Sequence, residues 1–127
     1  MRPVYSRARV LLSPSLWWES GNRVTVEAAL NGIPAIVTNR GGPPEMIGDS
    51  GIAVTLPDIM HKPPYKRLLP QDKLEMLTDT IEQMYDDEAT YRSMVGEASK
   101  VGQEMHDIER NTDRLIAQLT SVLPGGG

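Results

Sequence analysis

The chain of 127 residues contains no cysteine, which excludes disulfides, thiolate metal sites and a cysteine nucleophile. Its longest apolar runs, such as residues 10–12 and 35–37, are far too short to span a bilayer. The formal net charge is -4 and the basic residues are scattered, so the composition does not favour a nucleic-acid partner. We therefore expect a cytoplasmic protein, or one bound peripherally at a membrane surface, with no integral membrane segment.

Several familiar catalytic and binding motifs are also absent. The sequence has no Walker-type loop, no dinucleotide-binding glycine fingerprint and no nucleophile elbow. His61 and His106 lie far from each other in the chain and from any cluster of carboxylates. The acidic run 86–88 lacks the spacing of an EF-hand loop and is interpreted as a solvated junction between helices. No metal site is predicted.

Residues 1–57 contain short apolar runs separated by glycine and proline. The runs are continuous rather than alternating, which is typical of parallel strands covered on both faces. The predicted strands cover residues 10–12, 34–38 and 52–56. A helical pattern follows the first strand from Arg23 to Asn31, with Asn22 as its N-cap and Gly32 just beyond its end. Strand, helix and strand together predict a right-handed βαβ unit, and a short helical turn is predicted at 44–47.

Helices dominate the remainder of the chain. A proline-rich irregular loop is predicted at 58–71, a helical tail at 72–123 and a disordered tail at 124–127. Three apolar stripes in the helical tail are interpreted as core packing. They are Leu74, Leu77, Ile81 and Met84; Tyr91, Met94, Val95, Ala98, Val101, Met105 and Ile108; and Leu115, Ile116, Leu119 and Val122. The third helix is predicted to be capped by Asn111 or Thr112.

Two carboxylates, Glu19 and Glu27, lie between the first two predicted strands. Ligands of open α/β sheets bind at the carboxyl ends of the strands, which is where the loop carrying Glu19 begins. The free amides at the start of the predicted helix, within 21–25, suit a diphosphate. Glu27 can accept two hydrogen bonds from a vicinal diol such as a ribose, and Glu19 can hold sugar hydroxyls. Gly41-Gly42 can supply further amides to an anion.

Each of these residues also has an ordinary interpretation. Glu19 can be a solvated loop residue and Glu27 a surface residue of a helix, while Gly41-Gly42 can simply form a tight turn. Trp17 and Trp18 are more typical of loop packing than of ligand stacking. The spacing alone leaves these alternatives open.

The run PSLWWESGNRVTVEAALNGIPAIVTNRGGPPEMIGDSGIAV resembles the donor-binding region of group 1 glycosyltransferases. These are retaining, nucleotide-sugar-dependent enzymes that consist of two Rossmann-like domains, the GT-B fold. The matching elements are, in order, Glu19, Glu27-Ala28, Gly32-Ile33-Pro34 and Gly41-Gly42-Pro43-Pro44-Glu45. The resemblance is close over residues 4–56 and only general in character after residue 71.

The resemblance implies a role for each matching residue. Glu27 is expected to bind the ribose of the donor nucleotide, and Glu19 to contact the transferred sugar as the catalytic candidate. The backbone of Ser20, Gly21, Asn22 and Arg23 is expected to face the sugar and the diphosphate, together with Gly41 and Gly42. Neither a metal nor a separate cofactor is implied; the ligand is a nucleotide-sugar donor such as a UDP- or GDP-sugar. Ser20-Gly21 departs from the aromatic-glycine pair of many members, so the sugar stays open.

The chain resembles only the last half of the family's C-terminal domain. The expected fold is therefore α/β and partial Rossmann-like: half of a doubly wound parallel sheet, about three strands, with C-terminal helices. The opening at 1–5 resembles the inside of a family helix, and an N-terminal acceptor domain is expected on a missing segment or chain. The strand at Val10-Leu12 would lose its neighbour and leave an unpaired edge, so we expect a homodimer through it.

The predicted function is the donor-binding portion of a retaining glycosyltransferase. It would transfer a hexosyl group in polysaccharide or glycoconjugate synthesis, and the isolated chain is expected to be inactive. One alternative is a subunit of a split enzyme, in which a partner chain supplies the rest of the site. Another is a non-catalytic nucleotide-binding or interaction module that reuses the fold.

Overall fold

The structure, a computed structural model, describes residues 2–122, and this range contains a three-stranded parallel sheet with helices on both faces. The strands are β1 (Leu11–Ser13), β2 (Ala35–Thr38) and β3 (Gly51–Val54), in the order β1-β2-β3. The helices are α1 (Arg2–Tyr5), α2 (Arg23–Leu30), α3 (Pro43–Ile47), α4 (Gln71–Asp86), α5 (Glu88–Val101) and α6 (Ile108–Val122). The predicted α/β class, with about three strands and C-terminal helices, is confirmed.

The βαβ unit is also confirmed, and its helix begins and ends for local reasons. The side chain of Asn22 accepts a hydrogen bond from the amide of Thr25 at 2.9 Å, which satisfies one of the free donors at the start of α2. Gly32 follows the end of the helix with a φ of 68°, a conformation that favours glycine. The chain then enters β2, whose Ala35 pairs with Leu11 of β1 in parallel register.

The central strand β2 is buried along its whole length because both of its faces are covered. On one face, Ile36 packs with the loop after β3 and with α4 and α5. The buried members of that cluster are Ile36, Val54, Leu56, Met60 and Met84. On the other face, Ala35 and Val37 pack against Ile47 of α3. Parallel strands that are buried in this way require the continuous apolar runs seen in the sequence.

The acidic junction at 86–88 is confirmed as a helix boundary. Asp87 lies between α4 and α5, and its carboxylate accepts hydrogen bonds from the amides of Ala89 and Thr90, both at 3.0 Å. The hydrogen bond from the Thr90 hydroxyl, together with those from the two amides, lowers the pKa of Asp87. The run therefore serves as a helix cap.

The beginning of the last helix was predicted wrongly. A π-helical turn, Gly102–His106, follows α5, and α6 begins at Ile108 rather than near Asn111 or Thr112. The carboxylate of Asp107 accepts a hydrogen bond from the amide of Arg110 at 2.8 Å. Because Asp107 already satisfies an amide at the start of α6, no cap is needed further along the chain.

The interpretation of the α6 stripe as core packing is also wrong for the described residues. Five apolar side chains of α6 are each more than half exposed, and they are Ile108, Leu115, Ile116, Leu119 and Val122. Among the described residues, α6 packs chiefly against the π-helical turn, and its apolar stripe is left exposed. Periodicity predicted the amphipathic helix correctly but not what covers it.

The sheet has an unpaired edge at β1 among residues 2–122. Leu12 of this strand is 47 % exposed, although it lies on the same sheet face as the buried Ile36. The loop between β3 and α4 contains a 3-10 turn, Asp58–His61, and is otherwise irregular up to Gln71. None of the helices described is long and apolar enough to cross a membrane. The predicted disordered tail at 124–127 lies outside the described residues.

The core predicts how two apolar helix residues differ in their contribution to stability. Replacing Met84, which is fully buried, with alanine should lower the free energy of unfolding by about 2–5 kcal/mol, because it leaves a cavity. Leu119→Ala on the exposed stripe of α6 should change it by less than about 0.5 kcal/mol. Urea denaturation followed by circular dichroism measures both. Equal losses for the two variants would mean that α6 is part of the core.

Candidate functional site

The candidate site lies at the carboxyl edge of the sheet, where the loops after β1 and β2 meet. Glu19 forms a parallel backbone bridge with Gly41, and the amide of Gly42 donates a hydrogen bond to the carbonyl oxygen of Glu19 at 2.8 Å. A Cβ atom on Gly41 would lie 1.7 Å from that oxygen, and one on Gly42 would lie 2.1 Å from the carbonyl oxygen of Ser20. Both glycines are therefore required by the contact between the two loops.

Asn22 connects the carboxylate of Glu19 to β1 and to α2. Its side-chain nitrogen donates hydrogen bonds to Oε2 of Glu19 at 2.9 Å and to the hydroxyl of Ser13 at 3.0 Å. Its side-chain oxygen accepts from both the amide and the hydroxyl of Thr25. Glu19 is half-buried, and no hydrogen bond in the described part of the chain uses its Oε1. The carboxylate is thus fixed in place and retains an oxygen for a ligand hydroxyl.

Glu27 lies on the second turn of α2 and is held on both sides. The hydroxyl of Tyr5 donates a hydrogen bond to its Oε2 at 2.8 Å, and the guanidinium of Arg23 lies 3.0 Å from its Oε1. Burial and the bond to Glu27 raise the pKa of the Tyr5 phenol, so the hydroxyl stays a donor at neutral pH. The Arg23 side chain is almost fully exposed, and such an ion pair is weak. A diol can therefore replace Arg23 at the Glu27 carboxylate.

Sequence reasoning missed Tyr5 as a partner of this site. It belongs to α1, packs with Ala28 and Ile33, and contacts Glu27 from 22 residues earlier in the chain. Tyr5 lies in a short segment before β1 and belongs to no sequence motif. Its contact with α2 is therefore visible in the folded structure and could not be predicted from the sequence. The signal that it offers in the sequence is a lone aromatic residue in a chain with few of them.

Gly21 is in close contact with α3 rather than facing open space on that side. A Cβ atom on Gly21 would lie 2.1 Å from the terminal methyl carbon of Met46. The backbone carbonyl of Met46 accepts a hydrogen bond from Nε2 of His106 at 2.9 Å, so the π-helical turn supports this part of α3. His106 thus has a structural role. The described residues contain no group of three or more potential metal ligands.

Arg40 is a second residue of the site that sequence reasoning missed. It follows β2 directly and precedes Gly41, yet its side chain is only 8 % exposed. Its Nε is buried and has no hydrogen-bond partner among the described residues. The guanidinium carbon lies 6.0 Å from the ring centroid of Trp18, which is itself exposed. The sequence offered one signal, namely a cation directly before two glycines at the end of a strand.

An apolar cavity of about 270 Å³ lies beside the site, on the sheet face that carries Leu12 and Ile36. Its lining comes from the three strands, the loops after β1 and β3, and α4. The lining is almost entirely hydrocarbon, so the cavity is not suited to sugar hydroxyls or phosphates. The polar site and this cavity are therefore chemically distinct.

Comparisons with known proteins identify the family and the fold of the chain. A family model described as glycosyl transferases group 1 matches residues 1–87, and no curated protein matches the chain. A sucrose-phosphate synthase from Thermosynechococcus elongatus is similar in structure, with a TM-score of 0.64 and 24 % sequence identity. The match covers 93 % of this chain and 27 % of that chain, so the sequence spans about a quarter of its length. The likeness confirms the predicted partial Rossmann-like fold of the GT-B type.

The contact between the two loops predicts opposite effects for two glycine substitutions. Gly41→Ala should lower the free energy of unfolding by more than about 1 kcal/mol, because φ is 75° and the new methyl group would meet the backbone of Glu19. Gly96→Ala, in the middle of α5 with no atom within 4 Å of its Cβ position, should raise it by about 0.5–1 kcal/mol. Thermal and urea denaturation measure both changes. A neutral Gly41→Ala would contradict the close approach of the loops.

Proposed function

The chain belongs to the group 1 glycosyl transferases, and on that premise we propose that it binds the nucleotide-sugar donor of a retaining glycosyl transfer. One observation carries the proposal: the Glu19 loop, the start of α2 and the Gly41-Gly42 turn meet at one edge of the parallel sheet. Ligands of open α/β folds bind at this edge. The proposed donor is a UDP- or GDP-sugar, and the transferred group is a hexosyl unit for a polysaccharide or glycoconjugate.

In this proposal the start of α2 receives the diphosphate. The backbone at Ser20, Gly21, Asn22 and Arg23 includes amides that no carbonyl of α2 can satisfy, and the helix dipole favours negative charge there. Negative charge develops on the diphosphate as its bond to the sugar breaks. The positive end of the helix dipole stabilises that charge and so lowers the activation barrier of the transfer. Because the start of α2 supplies this stabilisation, the proposal includes no metal.

The two carboxylates receive the ends of the donor on either side of the diphosphate. Glu27 accepts hydrogen bonds from the ribose diol, with Tyr5 holding its other oxygen. Glu19 contacts the transferred sugar, and Asn22 orients its carboxylate. As the catalytic candidate, Glu19 places negative charge near the anomeric centre, where positive charge develops during transfer. Gly42 contributes mainly by holding the Glu19 loop, since its amide is bonded to Glu19.

The rest of the enzyme lies outside this sequence in our proposal. The chain spans about a quarter of the similar solved structure, so the acceptor site and the remaining donor contacts would come from another segment or from a partner chain. The isolated chain is accordingly proposed to bind without catalysing transfer. The alternative of a non-catalytic nucleotide-binding or interaction module predicts the same fold and no transfer in any assembly. A cytoplasmic or peripheral membrane location stays a prediction.

Nucleotide binding tests the proposed donor site directly. Titration calorimetry with UDP, GDP and their sugars should give micromolar binding for one nucleotide, and Glu27→Ala should weaken it at least about tenfold, because a charge-assisted hydrogen bond to the ribose is lost. Glu75→Ala, a carboxylate on the exposed surface of α4, is the matched control and should bind like the wild type.

Two results would contradict this proposal. The first is an equal affinity of wild type and Glu27→Ala for every nucleotide tested. The second is sugar transfer by the purified chain alone, since that would show a complete site within these residues.

We also propose that two copies pair through the free edge of β1, which gives a continuous sheet across the dimer. The strand offers unpaired backbone groups and an exposed Leu12, and such an edge readily joins another strand. Size-exclusion chromatography with light scattering should detect a dimer, and Leu12→Lys should shift it to a monomer because the charge would be buried at the interface. Leu119→Lys on α6 is the control. A monomeric wild type at high concentration would refute the pairing.

A further inference from the structure

We propose that Arg40 binds an oxyanion of the ligand, a phosphate or a carboxylate, where the Glu19 loop meets the end of β2. The inference rests on the proposed function, because it adds a binding residue to the same site. It concerns a side chain that the sequence motifs did not single out.

The burial of Arg40 without a partner is the observation that carries the inference. The side chain is more than nine-tenths buried, and its Nε makes no hydrogen bond within the described chain. None of the ion pairs found in residues 2–122 includes Arg40. A guanidinium carries its charge at every physiological pH, so it cannot escape the penalty of burial by losing a proton. Burying a charge without a counter-ion is costly, and an anionic ligand bound at Arg40 would remove that cost.

The backbone on both sides fixes Arg40 at this place. Asn39 is tied to the segment 54–56 by two hydrogen bonds of 3.0 Å, one through its amide and one through its side-chain oxygen. Gly41 is tied to Glu19 by the backbone bridge. The backbone of Arg40 is therefore fixed next to the Glu19 loop, between these two sets of contacts.

The aromatic neighbour of the guanidinium does not satisfy its donors. Trp18 is the aromatic neighbour at 6.0 Å, which is the outer limit of a cation–π contact and provides no acceptor for the Nε hydrogen. Trp18 is 70 % exposed, so this neighbour of the guanidinium lies at the surface of the protein. The planar N–H donors of arginine match the oxygens of a phosphate or carboxylate group. A neutral hydroxyl would leave the charge unpaired, and we therefore assign an oxyanion.

Inorganic pyrophosphate and two nucleotide sugars test the proposal. We would titrate wild type, Arg40→Gln and the control Arg92→Gln, an exposed arginine of α5, with pyrophosphate, UDP-glucose and UDP-glucuronate. If Arg40 holds a phosphate, Arg40→Gln should weaken pyrophosphate binding about tenfold or more. If it holds a sugar carboxylate, only UDP-glucuronate should lose that factor. Arg40→Lys should restore part of the affinity, since it keeps the charge but loses the planar donors.

The melting temperature of the ligand-free protein separates binding from a structural role. Removing an unpaired buried charge should leave the Tm of Arg40→Gln unchanged or higher, whereas a structural arginine would lower it. The inference is overturned if all three probes bind wild type and Arg40→Gln equally, or if none binds the wild type.

Failure of the proposed function gives a different pattern. In that case the nucleotide sugars would bind no better than pyrophosphate, and Glu27→Ala would change the affinity for none of the three probes. Arg40→Gln would still weaken the binding of pyrophosphate.

Discussion

The site depends on the close backbone contact between Glu19 and Gly41-Gly42. Two loops that follow different strands approach until no side chain fits between them, and a backbone hydrogen bond of 2.8 Å closes the gap. This contact places the Glu19 carboxylate, the N-terminus of α2 and Arg40 at one edge of the sheet. The parallel sheet provides the edge, but the glycines decide how near the two loops come.

The charged side chains of the site differ in whether they have hydrogen-bond partners. Glu19 and Glu27 have side-chain partners in Asn22, Tyr5 and Arg23, whereas the buried Nε of Arg40 has no hydrogen-bond partner within the described residues. A carboxylate has more acceptor sites than these partners use, so it can still bind ligand hydroxyls. A buried guanidinium without a counter-ion is stabilised by binding an anion. The proposed nucleotide-sugar donor carries both hydroxyls and phosphates.

Two apolar surfaces have no cover within the described chain, namely the β1 edge with Leu12 and the stripe of α6. The chain spans about a quarter of the length of the similar solved structure, so the partners of these surfaces need not lie in this sequence. Hydrophobic periodicity records that a face must be buried, but it holds no information on the burying surface. The interpretation of the α6 stripe as core packing is wrong for this reason. The cap is a separate, local error: it lies at Asp107 and not at Asn111 or Thr112.

Local patterns of polarity, capping and glycine were enough to predict the three strands, the N-cap at Asn22, the helical tail and the family. They also grouped Glu19, Glu27 and Gly41-Gly42 into one candidate site. The hydrogen bond from Tyr5 to Glu27 and the unpartnered, buried Nε of Arg40 became visible in the three-dimensional fold alone. Both facts depend on contacts between segments that are distant in the chain or on side-chain burial, and neither leaves a periodic signal in the sequence.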